Sequence, residues 1–174
     1  MTRKAEQDPG LPASGNSSRP RRQRPELTPT QRALGLLVRR EHSKKELARK
    51  LEAKGVAKED ARAAVAKLTD AGWQDDGRFA EQWVRSKVAC GYGPLRIQAE
   101  LRMHALTDEA ITHAFTTVED SWSALAHEQV RRRFPQAYKA DRNAQRKAAE
   151  HLLRRGFSMA HVQAALKCDF DDEY

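Results

Sequence analysis

The sequence has few of the residues that build cross-links, pockets and membrane spans. It contains two cysteines, Cys90 and Cys168, and neither belongs to a CxxC pair, so we interpret both as reduced thiols. Aromatic residues make up 6% of the chain and hydrophobic residues 39%, which favours thin seams between helices over a deep pocket. No apolar run approaches the roughly 20 residues that span a bilayer, and no apolar signal core follows the first methionine. We expect a cytoplasmic protein without membrane contact.

Motifs for cofactors and catalysis are also missing. The six histidines form no HExxH motif and no Cys/His pair at ligand spacing, so no metal site is predicted. The sequence contains no GxxxxGK[ST] loop and no GxGxxG motif after a predicted strand, so no nucleotide site is indicated. We interpret the pair Asp75 and Asp76 as the cap of a helix rather than as an acid and base. The sequence therefore predicts neither a cofactor nor an enzyme.

The chain does contain a pattern of residues that recurs at a period near fifty. Its first copy is Leu47, Leu51, Gly55, Val56, Glu59, Val65 and Leu68. At an offset of 50 stand Ile97, Leu101, Ala105, Leu106, Glu109, Phe115 and Val118, and at an offset of 101 stand Ala148, Leu152, Gly156, Phe157, Ala160 and Leu166. Such a period is typical of helical modules that cannot bury their apolar faces alone. We predict an all-α, elongated tandem array of three three-helix, helix-turn-helix-like repeats with no β-sheet.

Composition divides the chain into an arm, three repeats and a tail. Residues 1–27 are rich in proline, glycine, serine and arginine, which predicts a disordered basic arm that either follows phosphates or only aids solubility. The repeats are predicted at 28–74, 75–119 and 120–170, and an acidic tail at 171–174. Because the repeats stack within one chain, we expect a monomer.

Capping residues mark the ends of the predicted helices. Thr28 with Gln31, and Ser43 with Glu46, have the spacing of capping boxes. Further starts are predicted at Pro94, Thr107, Asp141 and Ser158, and ends at Gly55, Gly72 and Gly156. The residues expected to face the interior include Leu34, Leu37, Val38, Trp73, Trp83 and Trp122.

The basic residues are the candidate interaction site. Lys and Arg total 32 against 24 Asp and Glu, a net charge of +8, which favours a polyanion or an acidic protein face as partner. Cations at helix C-termini stabilise the helix dipole without any ligand. Lys44 and Lys45 stand instead at a predicted N-terminus, where positive charge is unfavourable, so they are the stronger candidates. The full candidate set is Lys44, Lys45, Arg49, Arg131, Arg132, Arg133, Arg142, Arg146 and Lys147.

Several segments together resemble the RecX family, bacterial regulators of the RecA recombinase. The matching residues are Arg32 to Leu34, Arg39 to Ser43, Glu46, Leu47, Leu51, Gly72 to Asp76, Arg78 to Ala80, Trp83, Val84, Gly91 to Pro94, Ile97 and Leu101. The resemblance covers residues 29–168 and is weaker in the third repeat. It implies an all-α array that lies in the groove of the RecA filament, restrains ATPase and strand exchange, and has no catalytic residues.

A different class of function remains open from the residues alone. Tandem helix-turn-helix modules also occur in DNA-binding proteins, which place a recognition helix in the major groove. The segment 107–118 contains no Arg or Lys. The segment 58–71 carries the acidic residues Glu59, Asp60 and Asp70 on much of its expected surface. The alternative is therefore a weak, sequence-tolerant binder of single- or double-stranded DNA through phosphate contacts.

Overall fold

The computed structural model describes residues 26–138 and 141–167, and this part of the chain is entirely helical. The predicted all-α fold is confirmed: nine α-helices and one 3₁₀ helix form three tandem groups, with no strand in the described ranges. The basic arm as far as residue 25, Cys168 and the acidic tail lie outside these ranges. None of the described helices is long and apolar enough to cross a membrane.

Each repeat contains three α-helices in chain order. Repeat 1 consists of α1 (Pro29–Leu37), α2 (Lys44–Glu52) and α3 (Lys58–Asp70). Repeat 2 consists of α4 (Asp76–Ala89), α5 (Pro94–Met103) and α6 (Asp108–Phe115). Repeat 3 consists of α7 (Trp122–Arg133), the 3₁₀ helix (Pro135–Tyr138), α8 (Arg142–Arg155) and α9 (Met159–Lys167).

The helix starts follow from local capping chemistry. Thr28 and Gln31 form the complete predicted capping box, in which each side chain bonds the other residue's backbone. Ser43 caps α2 by accepting from the Glu46 amide at 3.1 Å. The Glu46 carboxylate does not return this bond, because it binds Arg40 and Lys50 instead. The second predicted capping box is therefore half wrong.

The fifty-residue pattern corresponds to equivalent positions in the three repeats. Its second member, Leu51, Leu101 or Leu152, is fully buried in each repeat. Its third member turns the chain with a left-handed backbone: φ is 82° at Gly55, 61° at Ala105 and 91° at Gly156. A left-handed residue just beyond a helix directs the chain back across it. Ala105 is the one non-glycine residue with positive φ in the described part of the chain.

We expect the substitution Ala105→Gly to stabilise the protein. Left-handed backbone costs an L-residue about 1–2 kcal/mol, and glycine avoids this at an entropic cost of about 0.5–1 kcal/mol. The free energy of unfolding in urea should therefore rise by roughly 0.5–1 kcal/mol. The control Ala99→Gly, at an exposed site inside α5, should lower it by about 1 kcal/mol. A decrease for Ala105→Gly would refute the strain at this turn.

Each repeat has its own apolar cluster. The clusters centre on Leu47 and Leu51 in repeat 1, on Phe79 and Ile97 in repeat 2, and on residues of α7, α8 and α9 in repeat 3. The side chain of Trp122 contacts the clusters of both repeat 2 and repeat 3. Each cluster therefore forms mainly within one repeat, Trp122 links the clusters of repeats 2 and 3, and the expectation that stacking is needed to complete the burial stays a prediction.

Two predicted core residues lie on the surface. Val38 is 80% exposed because it is the C-cap of α1, where the chain already turns away from the helix face. Trp73 is 61% exposed, since it follows the left-handed turn at Gly72 and precedes the cap of α4. Trp83 and Trp122 are half-buried and pack against apolar clusters, as predicted.

Candidate interaction surface

The three repeat 1 candidates lie on α2 with exposed side chains: Lys44 and Lys45 begin the helix, and Arg49 is in its last turn. Lys44 is the first residue of this helix, and its backbone N–H donates to Asp76 Oδ1 of repeat 2 at 2.9 Å. A helix N-terminus favours a nearby anion, and at α2 the Asp76 carboxylate of the same chain supplies it. Lys45 Nζ donates to the Met103 carbonyl at 2.8 Å. Lys45 therefore joins repeats 1 and 2 in addition to lying at the surface.

The repeat 3 candidates form two groups of exposed cations. Arg131, Arg132 and Arg133 fill the last turn of α7, where positive charge stabilises the dipole. Arg131 pairs with Glu128 at 2.7 Å. The other three lie on the first turns of α8; among them Arg146 contacts Asn143 at 3.4 Å and Glu150 at 3.5 Å. The remaining members of the second group are Arg142 and Lys147.

Arg142 shares the unusual location that the sequence singled out for Lys44. It is the first residue of α8, directly after the cap Asp141, so its charge gains nothing from the helix dipole. Repeats 1 and 3 therefore each have a cation at a helix N-terminus, where the helix dipole disfavours positive charge. No contact joins the two sets within the described residues, and they form separate surfaces rather than one site.

The contact between repeats 1 and 2 is a buried polar network that no local sequence pattern predicts. All four buried polar residues of the described chain are His42, Ser43, Glu46 and Gln74, which lie in or beside this junction. Ser43 Oγ is 2.9 Å from His104 Nδ1 of repeat 2. Gln74 Nε2 donates to the His42 carbonyl at 3.2 Å and to Asp76 Oδ1 at 2.9 Å. Directional hydrogen bonds therefore set the orientation of the two repeats.

Glu46 is the charged centre of this network. Its carboxylate binds the Arg40 guanidinium and lies 3.0 Å from Lys50 Nζ and 3.8 Å from His42 Nε2. Burial opposes ionisation of Glu46, but the hydrogen bonds from Arg40 and Lys50 outweigh it and hold the carboxyl pKa below its usual value. Burial also lowers the pKa of the His42 and His104 imidazoles.

We expect the free energy of unfolding to fall as the solution becomes acidic. The lowered pKa of His42 and His104 means that the unfolded chain binds protons more readily, so stability is complete above about pH 6.5 and is lost below it. The lowered pKa of Glu46 adds a second loss below about pH 4.5, as its carboxylate becomes protonated.

Thermal unfolding between about pH 7.5 and pH 5.5 measures the histidine contribution. The midpoint should fall across this range, and the fall should be smaller in His104→Gln. A matched variant of the exposed histidine in α6, His113→Gln, should keep the fall of the unmodified protein. Equal pH dependence in both variants would contradict the assignment to the junction.

The contact between repeats 2 and 3 is a close approach of backbones. Gly93 N–H donates to the Arg155 carbonyl at 2.8 Å, and Leu95 N–H donates to the Gly156 carbonyl at 3.0 Å. A Cβ at Gly93 would lie closer than 3.0 Å to backbone atoms of Gly156 and Phe157. The lack of a side chain at Gly93 therefore allows repeats 2 and 3 to approach this closely, in addition to any role in turning the chain.

At the same junction, three cationic side chains contact the ring of one tyrosine. The guanidinium carbons of Arg96 and Arg155 lie 4.5 Å and 4.7 Å from the Tyr92 ring centroid, and Lys87 Nζ lies 5.2 Å from it. Arg155 also donates to the Cys90 carbonyl at 2.9 Å. Cation–π contacts of this kind contribute about 0.5–1 kcal/mol each at exposed sites. Arg155 thus stabilises the junction as well as the end of α8.

No group of three or more His, Cys, Asp or Glu side chains within residues 26–138 and 141–167 is placed to hold a metal ion. What the arrangement offers is a series of three rigid units, joined by specific contacts, with exposed cations on the first and third. Such a series suits binding to an extended partner.

Comparison with known proteins agrees with this architecture. Family models described as the first, second and third three-helix domains of RecX match residues 30–68, 75–114 and 119–166. The Regulatory protein RecX of Stenotrophomonas maltophilia (strain R551-3) is 53% identical over 159 residues, 91% of this chain and 95% of that protein. The Regulatory protein RecX of Xanthomonas axonopodis pv. citri (strain 306) is 52% identical over 147 residues, 84% of this chain and 91% of that protein.

Solved structures show the same fold at lower sequence identity. The crystal structure of RecX from Lactobacillus salivarius superposes with a TM-score of 0.66 and 21% identity, covering 79% of this chain and 92% of that one. Because all three repeats match and relatives more than half identical span most of the length, this chain belongs to the RecX family of regulatory proteins.

Proposed function

We propose that this protein binds the RecA–DNA filament in the cytoplasm and restrains RecA ATPase, strand exchange and filament growth during recombination, repair and the SOS response. The observation that carries the proposal is the presence of exposed cations on the first and third of three linked repeats. A filament repeats the same protein surface, and the same DNA, at regular intervals, and we expect the cations to meet acidic parts of that surface or the DNA. Several weak contacts along such a partner give avidity without a deep pocket.

The geometry suggests how binding would restrain the filament. A chain whose repeats contact neighbouring RecA subunits would resist the relative motion of those subunits during ATP turnover. The same contacts at a filament end would block the addition of further subunits. The candidate contact residues are Lys44, Lys45, Arg49, Arg131, Arg132, Arg133, Arg142, Arg146 and Lys147, on a protein that we expect to act as a monomer.

The alternative function is binding to DNA alone. The third helix of repeat 2, α6, gives it little support. The exposed residues of α6 include Asp108, Glu109, Thr112 and His113, and this helix has no Arg or Lys. Reading bases in the major groove relies on side chains such as Arg and Asn, and phosphate contact relies on cations. DNA contact by this protein is therefore expected to be weak and salt-dependent.

The proposal is tested by the DNA-stimulated ATPase of RecA from the organism that encodes this chain. Titration with the full chain and with a version lacking residues 1–27 should lower ATP hydrolysis in both cases. If neither version changes hydrolysis while salt-sensitive DNA binding persists, the DNA-binding alternative replaces the proposal. If only the full chain inhibits, the arm rather than the repeats carries the activity.

A further inference from the structure

A groove between α2 and α3 of repeat 1 combines an apolar floor with a cationic rim. Its floor is formed by Ala48, Val65 and Ala66, and its volume is about 400 Å³. Lys44, Lys45 and Arg62 stand along the rim, against a single carboxylate, Asp70. We define these six floor and rim residues as the α2–α3 groove.

Two of the three rim cations, Lys44 and Arg62, are only weakly used within the protein, whereas Lys45 Nζ is held by the Met103 carbonyl of repeat 2. Within the described part of the chain, no carboxylate lies within 4.0 Å of Lys44 Nζ. Among the residues that the structure describes, Arg62 pairs with one carboxylate, Glu59 of its own helix, at 3.4 Å, and both side chains are more than half exposed. A pair of that kind contributes between 0 and about 1 kcal/mol, so an external anion can replace it at little cost.

The fold does not require these cations. At the positions 50 residues further on, repeat 2 has Pro94 and Leu95 in place of the lysines and Thr112 in place of Arg62. Phe115 replaces Val65, so a larger side chain occupies the place of the groove floor. At the positions 101 residues further on, repeat 3 keeps one of the three cations, Arg146, and has Gln145 and Gln163 at the other two. The full set of three cations is therefore found in repeat 1, and helix packing alone does not account for it.

We propose that the α2–α3 groove binds an acidic protein segment that carries aliphatic side chains. The apolar floor accommodates aliphatic groups, and the rim cations pair with carboxylates on either side of them. This arrangement is how an amphipathic segment binds a helix-lined groove. A nucleic-acid backbone would satisfy the rim but would leave the floor without apolar contacts, which favours protein over DNA. Resting on the proposed function, the inference identifies the occupant as a segment of the RecA filament.

The groove can be tested without RecA by NMR titration of the full chain. The probes are a peptide of glutamate and leucine, a matched peptide of lysine and leucine, and single-stranded oligothymidine. We expect the acidic peptide alone to shift the amide resonances of Ala48, Val65 and Ala66. Equal shifts with the basic peptide, displacement by oligothymidine, or no shift with any probe would each overturn the inference.

Variants distinguish the groove from general charge effects. Lys44→Glu with Arg62→Glu reverses the rim, and Ala66→Trp fills the groove while leaving its charge. Both should weaken binding of the acidic peptide at least about tenfold. The control, Lys54→Glu with Arg154→Glu, makes the same change in net charge at exposed sites that do not line the groove and should bind as the unmodified protein does. Retention of helical circular dichroism shows that each variant is folded.

The same variants separate this inference from the proposed function. The rim variant should lose at least about tenfold in affinity for RecA filaments, and the control variant should not. If the unmodified protein inhibits RecA and the rim variant inhibits equally well, the groove is not the contact and the proposed function stands. If the unmodified protein has no effect on RecA while the acidic peptide binds, the proposed function fails and the groove remains a site for another acidic protein.

Discussion

Gly93→Ala is expected to separate repeats 2 and 3 without unfolding either of them. The added Cβ would meet the backbone of Gly156 and Phe157, which cannot move aside as a flexible side chain does. The clash would break the hydrogen bonds from Gly93 and Leu95 to repeat 3. Because each repeat encloses its own apolar cluster, the helices themselves should persist. Inserting one methyl group into a packed contact typically costs about 1–3 kcal/mol.

Small-angle scattering and circular dichroism together measure this effect. We expect an altered scattering profile with unchanged helical content, and inhibition of RecA weakened at least about tenfold if the spacing of the repeats matters. The control is Gly35→Ala in α1, where a Cβ would meet no atom within 4 Å. That variant should match the unmodified protein in shape and activity and gain about 0.5–1 kcal/mol of stability. A Gly93→Ala protein with an unchanged profile would contradict the close approach.

Glu46→Gln is expected to destabilise repeat 1 and its junction with repeat 2. The carboxylate is 7% exposed and forms ion pairs with Arg40 and Lys50. Replacing it with a neutral amide leaves these two cations without their shared negative partner. Hydrogen bonds to charged groups contribute about 1.5–3 kcal/mol when buried. Arg40 and Lys50 are themselves partly exposed, at 43% and 34%, which reduces the loss to about 1–3 kcal/mol.

Urea denaturation of Glu46→Gln gives the loss directly. The control is Glu150→Gln in α8, whose carboxylate is 50% exposed and meets only Arg146, at 3.5 Å. We expect the control to change the free energy of unfolding by less than about 0.5 kcal/mol, as is usual for surface sites. Similar losses in the two variants would show that the network around Glu46 carries no particular weight.

The helices could be predicted because their signals are local in sequence. Thr28, Thr107 and Asp141 each cap a helix through bonds that reach only two or three residues along the chain. The recurring pattern likewise identified Leu51 and its equivalents as core positions, which the structure confirms. Trp73 shows the limit of this reasoning, since residue type suggested burial while its position after a tight turn exposes it.

The junctions could not be predicted because they join residues far apart in sequence. Ser43 meets His104 across 61 positions, and Arg155 meets Cys90 across 65. Gly93 stands directly before the predicted helix start at Pro94, but its contact with repeat 3 depends on how the repeats stack. The positions of the candidate cations at helix ends can be predicted locally, but no local pattern indicates that Lys45 binds a carbonyl of repeat 2. Their role in binding a partner stays a prediction.

The most direct test of the account compares binding to RecA filaments with binding to DNA. The full chain, carrying a fluorescent label, would be titrated with RecA assembled on single-stranded DNA with a slowly hydrolysed ATP analogue, and with the same DNA alone, over a range of salt concentrations. We predict saturable binding to the filament that is much tighter than binding to DNA. Equal affinity for both, with a log–log salt slope near −5 as expected for about six phosphate contacts, would contradict it.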